Sequence, residues 1–273
     1  MTLLTALPDT LSQVTDAAHN EEGNWIIEHV SDHKIFSIPP VNIGGVNIDF
    51  SITTNILMML IASTLLVIVL TYSASSNKKN KHPKGLANFI ELVMLFVKDD
   101  IVLPSMGKIG VNFLPFFFTM FFFILTVNLL GLIPFMHTAT GNVSITASLA
   151  SVTFVMMMFH GIKKNGFFGY FKGLIPHGVP LYVLPVMVII EFLSLLTKPF
   201  ALCIRLFANM TAGHIVILAF ISLIFTLGYV IVPVSIAFSL FIYLLEILVA
   251  LLQAYIFTIL SSLFIGMAIE QEH

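Results

Sequence analysis

The sequence predicts an all-α polytopic membrane protein with about five membrane-crossing helices. Hydrophobic residues make up 58% of the 273 residues and charged residues only 10%, and the mean hydropathy is +1.02. These values are typical of a chain that buries its surface in lipid rather than of a soluble domain. The apolar residues also fall into long runs that are separated by polar or glycine- and proline-rich linkers.

The chain divides into a polar tail and a membrane domain. Residues 1–48 are acidic and are predicted to form an N-terminal polar tail, and residues 49–273 form the membrane domain. The short turn TATGN makes the second and third crossings a hairpin. The predicted crossings are residues 50–72, 113–136, 143–160, 183–227 and 229–269.

The lysine-rich linker after the first crossing contains one further helix. We expect residues 86–102 to lie in the membrane interface as an amphipathic helix rather than to cross the bilayer. Its apolar side is predicted to carry Phe89, Val93 and Phe96, with Asn88, Glu91 and Lys98 nearer the other side.

The last two helices are predicted to be very long and steeply tilted. Their 45 and 41 residues correspond to roughly 60 to 68 Å of helix, against a hydrocarbon core of about 30 Å. Seven crossings would need two additional polar turns, and neither segment contains one. We therefore expect two oblique helices, the first of them bent at Pro185 and Pro199.

Lysine placement orients the chain across the membrane. Lysines are concentrated in the linkers after the first and third crossings, and the linkers after the second and fourth crossings have none. Loops rich in lysine face the cytoplasm, so the N-terminal tail is predicted to lie outside and the C-terminus inside. The lysines of the two linkers are Lys78, Lys79, Lys81, Lys84, Lys98, Lys108, Lys163, Lys164 and Lys172.

The single arginine, Arg205, lies within the fourth apolar run. An arginine at bilayer depth costs roughly 2.5 to 3.5 kcal/mol on insertion scales and cannot lose its proton. A permanent charge in this position suits pairing with a carboxylate that lies opposite it only transiently. The structural alternative is an arginine that snorkels or caps a helix end.

Polar residues recur along the same run at helical spacing. Glu191, Lys198 and Arg205 are seven residues apart and form one slowly drifting stripe, which Asn209 extends. His214 lies nearly half a rotation from Arg205 and is expected to meet a different neighbour. Two alternatives stay open, namely a structural ion pair between Glu191 and Lys198 and a purely helix-packing role for Asn209.

Two polar residues share one face of the last helix. Glu246 and Gln253 are seven residues apart. Gln253 could serve only to hold helices together. Glu246 is interpreted as part of a proton relay, because a carboxylate in mid-membrane must either stay protonated or meet an imidazole.

Three motifs resemble one family. EFLSLLTKPFALCIRLFANMTAGH (Glu191–His214) and LLEILVALLQAYIFTIL (Leu244–Leu260) closely resemble subunit a of the rotary F-type ATP synthase. NLLGLIP (Asn128–Pro134) fits an earlier hairpin of the same family. The resemblance runs from the first crossing to the C-terminus. It implies an ion-translocating stator with two proton half-channels, which is not an enzyme on its own.

The resemblance implies a role for each polar residue. Arg205 would correspond to the essential arginine that faces the ion-carrying carboxylate of the c-subunit ring. Gln253 and Asn209 would correspond to the glutamine and the asparagine near that arginine. His214 and Glu246 would match two positions of the half-channel from outside, in the exchanged order relative to some relatives, and Glu191 an acidic position at the cytoplasmic exit.

The resemblance also implies partners and a location. The partners would be the c-subunit ring, the peripheral-stalk b subunits, other ATP synthase subunits and the lipid bilayer. No cofactor is expected beyond the transported ion, and His214 favours H⁺ over Na⁺ because histidine titrates near neutral pH. A bacterial plasma membrane is preferred over a mitochondrial inner membrane.

Competing functions have weaker support in the sequence. A stand-alone proton-coupled secondary transporter would often show two self-similar halves, which the chain lacks. A haem or quinone subunit would need paired histidines on neighbouring crossings. The histidines available for it, which do not form such pairs, are His137, His160, His177 and His214.

Metal, nucleotide and nucleic-acid sites are not expected. His29 and His33 have helical spacing, but no further ligand cluster accompanies them. The sequence contains no P-loop and no basic stripe with interleaved aromatic residues. Cys203 is the only cysteine and excludes an internal disulfide.

Overall fold

The computed structural model describes residues 34–36, 41–43, 46–48, 51–79, 85–133, 139–173, 182–228 and 231–270. Five helical stretches among them are long and apolar enough to cross a membrane. The all-α polytopic class is thereby confirmed. The five stretches are Thr54–Ser75, Leu86–Gly131, Val143–Asn165, Val186–Ile224 and Val232–Ile269.

Eight α-helices are present in the described residues. A π-helical segment (Val97–Val102) and a 3₁₀ segment (Gly107–Phe113) connect the second, third and fourth helices without interruption, and a 3₁₀ turn (Ala139–Gly141) precedes the fifth. The helices are α1 (Thr54–Lys79), α2 (Leu86–Phe96), α3 (Leu103–Met106), α4 (Leu114–Gly131), α5 (Val143–Asn165), α6 (Phe167–Gly173), α7 (Leu184–Leu227) and α8 (Val232–Ile269).

Four short strands precede the helices, and no pattern in the sequence predicted them. The strands β1 (Lys34–Phe36) and β4 (Ile52–Thr53) pair in antiparallel fashion, with an irregularity in register. The strands β2 (Val41–Ile43) and β3 (Val46–Ile48) also pair antiparallel, with Val41 opposite Ile48. The other residues of the predicted 1–48 tail, including His29 and His33, lie outside the described residues.

Local capping signals set the ends of the helices. The side chain of Asn142 accepts a hydrogen bond of 2.9 Å from the backbone N–H of Ser144 and so caps the start of α5. Gly166 ends α5 and Gly228 ends α7, each with φ 73°. A residue with a Cβ rarely adopts this conformation, so these two glycines permit the chain to leave its helix.

The helices differ in extent from the predicted crossings, whose positions in the membrane remain predictions. The second crossing was expected over 113–136, but α4 ends at Gly131, after which the chain turns. The third was expected to end at residue 160, but α5 continues to Asn165, because no helix-breaking conformation occurs before Gly166. The first was expected over 50–72, whereas α1 covers Thr54–Lys79.

The last two crossings are two continuous helices, as predicted. They have 44 and 38 residues, and Pro199 lies inside α7. Pro185 was predicted to bend this helix, but it lies in the first turn of α7, where its missing N–H removes no helical hydrogen bond. A strong tilt remains a prediction.

The predicted interfacial helix is helical throughout 86–102, and the structure shows which of its residues pack against the rest of the chain. Phe89 and Phe96 are exposed, whereas Ala87, Ile90 and Val97 are buried. Its placement in the membrane interface remains a prediction.

The chain forms two compact units. One comprises 1–54 and 211–246, and the other comprises 55–210 and 247–273. The hydrophobic core of the second unit combines residues from all its long helices, among them Ile101, Phe117 and Phe257. Many large apolar side chains on the outer faces of α7 and α8 are exposed, as expected for helices in lipid.

Candidate functional site

A buried carboxylate and a histidine form a pair within the first unit. Nδ1 of His214, on α7, lies 2.9 Å from Oε1 of Glu246, on α8. Glu246 is only 5% exposed, whereas His214 is partly open. The two residues lie 32 positions apart in sequence, and the pairing confirms that His214 meets a neighbour on the next helix. Such a pair can accept, hold and release a proton.

Gly213 makes room for this carboxylate. A Cβ added at Gly213 would lie 2.6 Å from Oε1 of Glu246 and 2.9 Å from its Cδ. Real Cβ atoms do not approach other atoms this closely, so the carboxylate packs directly against the helix backbone.

Replacing this glycine should disturb the pair. We expect Gly213→Ala to displace the carboxylate of Glu246 and to lower passive proton flux about tenfold. The measurement is dye-reported flux through membranes stripped of the catalytic sector, normalised to assembled complex. The double variant Gly213→Ala/Glu246→Asp serves as the control, because the shorter acid leaves room for the added methyl and should regain flux. Equal flux in Gly213→Ala and the parent would show that the close packing is irrelevant.

Arg205, unlike the buried Glu246, has an exposed side chain on α7. No carboxylate lies within ion-pair distance of its guanidinium among the residues that the structure describes. The small residues Ala201 and Ala208, four and three positions away on the same side of the helix, are also exposed. The permanent charge is thus presented on a surface that another helix could approach closely.

Asn209 and Gln253 each hold a buried amide nitrogen. Neither Nδ2 of Asn209 nor Nε2 of Gln253 has a hydrogen-bond partner in the described part of the chain. Gln253 is 4% exposed. Because a buried donor without a partner is costly, these amides indicate places for water molecules.

Glu191 and Lys198 line a common cavity. Its volume is about 190 Å³, enough for several water molecules, and its other walls include Tyr170 and Phe264. The ammonium group of Lys198 lies 5.4 Å from the centre of the Phe264 ring. Among the described residues no ion pair joins Glu191 to Lys198, so the alternative of a structural ion pair is wrong.

Tyr170 closes one side of this cavity. The residue is fully buried, and its ring packs against Gly161. Burial raises the pKa of the Tyr170 phenol above its usual value. Tyr170 lies on α6, outside the sequence motifs. Only the presence of an aromatic residue in a glycine-rich linker could have indicated that it lines this cavity.

The histidines of the haem alternative are partly described. Nδ1 of His160 lies 3.0 Å from the carbonyl oxygen of Met156, and its ring packs against Phe113. His137 and His177 lie outside the described residues. Within the described ranges, no group of three or more potential metal ligands comes together.

Comparison with known proteins identifies the family. Residues 56–266 match the family described as ATP synthase A chain. The chain belongs to the ATP synthase A chain family. The matched segment includes every predicted site residue, from Glu191 to Gln253. Membership in the ATP synthase A chain family places the chain in the membrane sector of the F-type ATP synthase and not among its catalytic subunits.

Individual members of the ATP synthase A chain family match over most of the chain. "ATP synthase subunit a" of Chloroherpeton thalassium is 46% identical, over 93% of this chain and 79% of the relative. "ATP synthase subunit a 2" of Chlorobaculum tepidum is 46% identical, over 92% and 74%. "ATP synthase subunit a" of Myxococcus xanthus is 46% identical, over 83% and 75%. These bacterial relatives and the five apolar helical stretches support a multi-pass membrane protein.

Proposed function

We propose that the chain is the ion-translocating stator of an F-type ATP synthase, forming two proton half-channels against a rotating ring of c subunits. The observation that carries the proposal is the exposed guanidinium of Arg205, which has no carboxylate partner among the described residues of its own chain. A permanent charge in an apolar helix needs a counter-charge. A carboxylate of a neighbouring ring supplies one in passing.

The inlet is assigned to His214 and Glu246. These residues form a hydrogen-bonded pair and can relay a proton from outside to a ring carboxylate. Once it has taken up this proton, the ring carboxylate is neutral, and it can move through lipid without the cost of burying a charge. One charge that crosses 100 mV releases about 2.3 kcal/mol, which drives the ring when leakage between the half-channels is blocked.

The outlet is assigned to the cavity of Glu191 and Lys198. The cavity combines a carboxylate without an ion pair among the described residues with space for water. Water beside a carboxylate provides an acceptor for a proton that leaves the ring. Arg205 favours ionisation of the ring site before that release, and it cannot carry the proton itself because guanidinium stays charged. Asn209 and Gln253 position water molecules near the arginine.

The remaining assignments follow from the same function. The transported ion is H⁺, and no cofactor takes part. The N-terminus lies outside and the C-terminus in the cytoplasm of a bacterial plasma membrane, as the lysine distribution indicates. Peripheral-stalk b subunits hold the chain against the turning ring.

Contact with the ring can be tested by crosslinking. We expect Ala208→Cys, in a Cys203→Ala background and carrying a benzophenone maleimide, to yield an adduct with the c subunit after illumination of the assembled complex. Ala208 is exposed three residues from Arg205, within reach of a facing helix. Mass spectrometry identifies the adduct.

The matched control is Val67→Cys in the same background. Val67 is 60% exposed on α1 and should give no adduct with the c subunit. Adducts of Ala208→Cys with lipid alone would contradict the proposed function.

A further inference from the structure

Many hydroxyl groups in the described apolar helices bond to the backbone of their own helix. Ser63 donates to the carbonyl of Met59 at 2.7 Å, and Thr119 donates to that of Pro115 at 2.8 Å. Thr258, which is buried in α8, donates to the carbonyl of Ala254 at 2.8 Å. A hydroxyl that bonds in this way needs no further partner in lipid.

Two serines of α8 differ from these hydroxyls. The oxygens of Ser235 and Ser239 are buried, and neither has a hydrogen-bond partner in the described part of the chain. Ser235 is only 1% exposed. A buried hydroxyl without a partner costs free energy, so each of these two oxygens needs a partner that is not one of the described residues.

Both serines lie on the face of α8 that carries Glu246. Spacings of four and seven residues keep all three side chains within about 40° around a helix. Oε2 of Glu246 is likewise buried without a partner among the described residues, whereas Oε1 faces His214. Three oxygens with unused hydrogen-bonding capacity therefore follow one line along α8.

The spacing of this line fits water molecules. Helical rise separates Ser235 from Ser239 by about 6 Å and Ser239 from Glu246 by about 10.5 Å. One bridging water spans the first gap and two or three span the second, at ordinary hydrogen-bond lengths. Buried water is found where it meets polar groups that lack partners, and these three oxygens meet that condition.

We propose that Ser235 and Ser239 hold a file of water molecules that delivers protons from outside to Oε2 of Glu246. Each serine accepts a hydrogen bond from one water and donates one to the next. A proton that joins the file at Ser235 displaces another along the file to Oε2, and no net bond is gained or lost. The two serines are positioning residues, and their role rests on the proposed inlet function of His214 and Glu246.

Passive proton flux is the first test. We expect the double variant Ser235→Ala/Ser239→Ala to conduct protons about tenfold more slowly than the parent, in the whole complex stripped of its catalytic sector. Flux is normalised to assembled complex. Ser63→Ala is the matched control, since that hydroxyl bonds to its own backbone and should be dispensable.

Thiol accessibility is the second test, and a purely structural role would not affect it. In a Cys203→Ala background, we expect silver ions added from outside to block flux in Ser235→Cys and Ser239→Cys but not in Ser63→Cys. Silver ions reach a thiol only through water, so inhibition shows a wet path to these positions. Unimpaired flux in the double alanine variant, or absence of silver inhibition in both cysteine variants, would overturn the inference.

The outcome also separates this inference from the proposed function. If Glu246→Gln slows flux while Ser235→Ala/Ser239→Ala does not, the serine file is wrong and the inlet assignment stands. If Glu246→Gln leaves flux unchanged, the inlet assignment itself fails.

Discussion

Arg205→Ala should abolish ATP-driven proton pumping, with a loss of at least about a hundredfold. The exposed guanidinium is the only fixed positive charge on its stretch of α7 after Lys198, and it has no internal ion pair among the described residues. In the proposed function, loss of this charge removes the group that favours ionisation of the ring carboxylate, and ions can then pass directly between the half-channels. Pumping is measured by acidification of inverted vesicles.

Two comparisons sharpen the Arg205 prediction. Arg205→Lys should recover little activity, because an ammonium is compact, strongly hydrated and able to lose its proton. Thr197→Ala should pump normally, since that hydroxyl bonds to the carbonyl of Ser194 on its own helix. Passive leakage in Arg205→Ala is expected to stay the same or rise while coupling disappears. Retained pumping in Arg205→Ala would refute the rotary assignment.

Glu246→Gln is expected to produce the second largest loss, about a hundredfold in passive proton flux. The amide has nearly the same volume and can still hydrogen-bond to His214, so the complex should assemble. It cannot take up a proton, so the proposed relay would be interrupted at the buried end of the pair. The assay is dye-reported flux through the stripped membrane sector.

The same chemical change at an exposed position provides the control. Glu270→Gln alters an exposed carboxylate immediately after α8 and should leave flux intact. Similar losses in both variants would indicate a general electrostatic effect, and the specific role of Glu246 would then be untenable.

Sequence patterns predicted which segments form long helices, but they did not predict where those helices begin and end. Long apolar runs with few internal breakers and no polar turn predicted α7 and α8 as single helices, because hydrophobicity and length decide this together. The extension of α5 beyond the predicted crossing could not be foreseen, since a polar helical turn such as the one containing Lys163 is compatible with either helix or loop. The strands before α1 are too short to give a periodic signal.

The sequence identified some residues of the candidate site, and others are evident only from the structure. Motifs identified Arg205, His214 and Glu246, since charged groups are rare in apolar helices and stand out. Serines do not stand out in this way, because a serine in an apolar helix can also bond to the backbone of its own helix. Only the three-dimensional structure shows which serines do not, and it also reveals that Glu191 faces a cavity rather than an ion pair with Lys198.

The packing of Glu246 against Gly213 restricts how evolution can exchange the two members of the pair. A direct swap takes two substitutions and passes through either two carboxyls or two imidazoles in contact. Two carboxyls can share one proton and keep a hydrogen bond between them, so the order that passes through two carboxyls is the more favourable one. The last step then places an imidazole ring where a slender carboxylate now lies 2.6 Å from the site of a missing methyl. A methyl group at Gly213 would occupy the space that the carboxylate now fills, and the side chains at positions 214 and 246 would then have to meet in a different geometry.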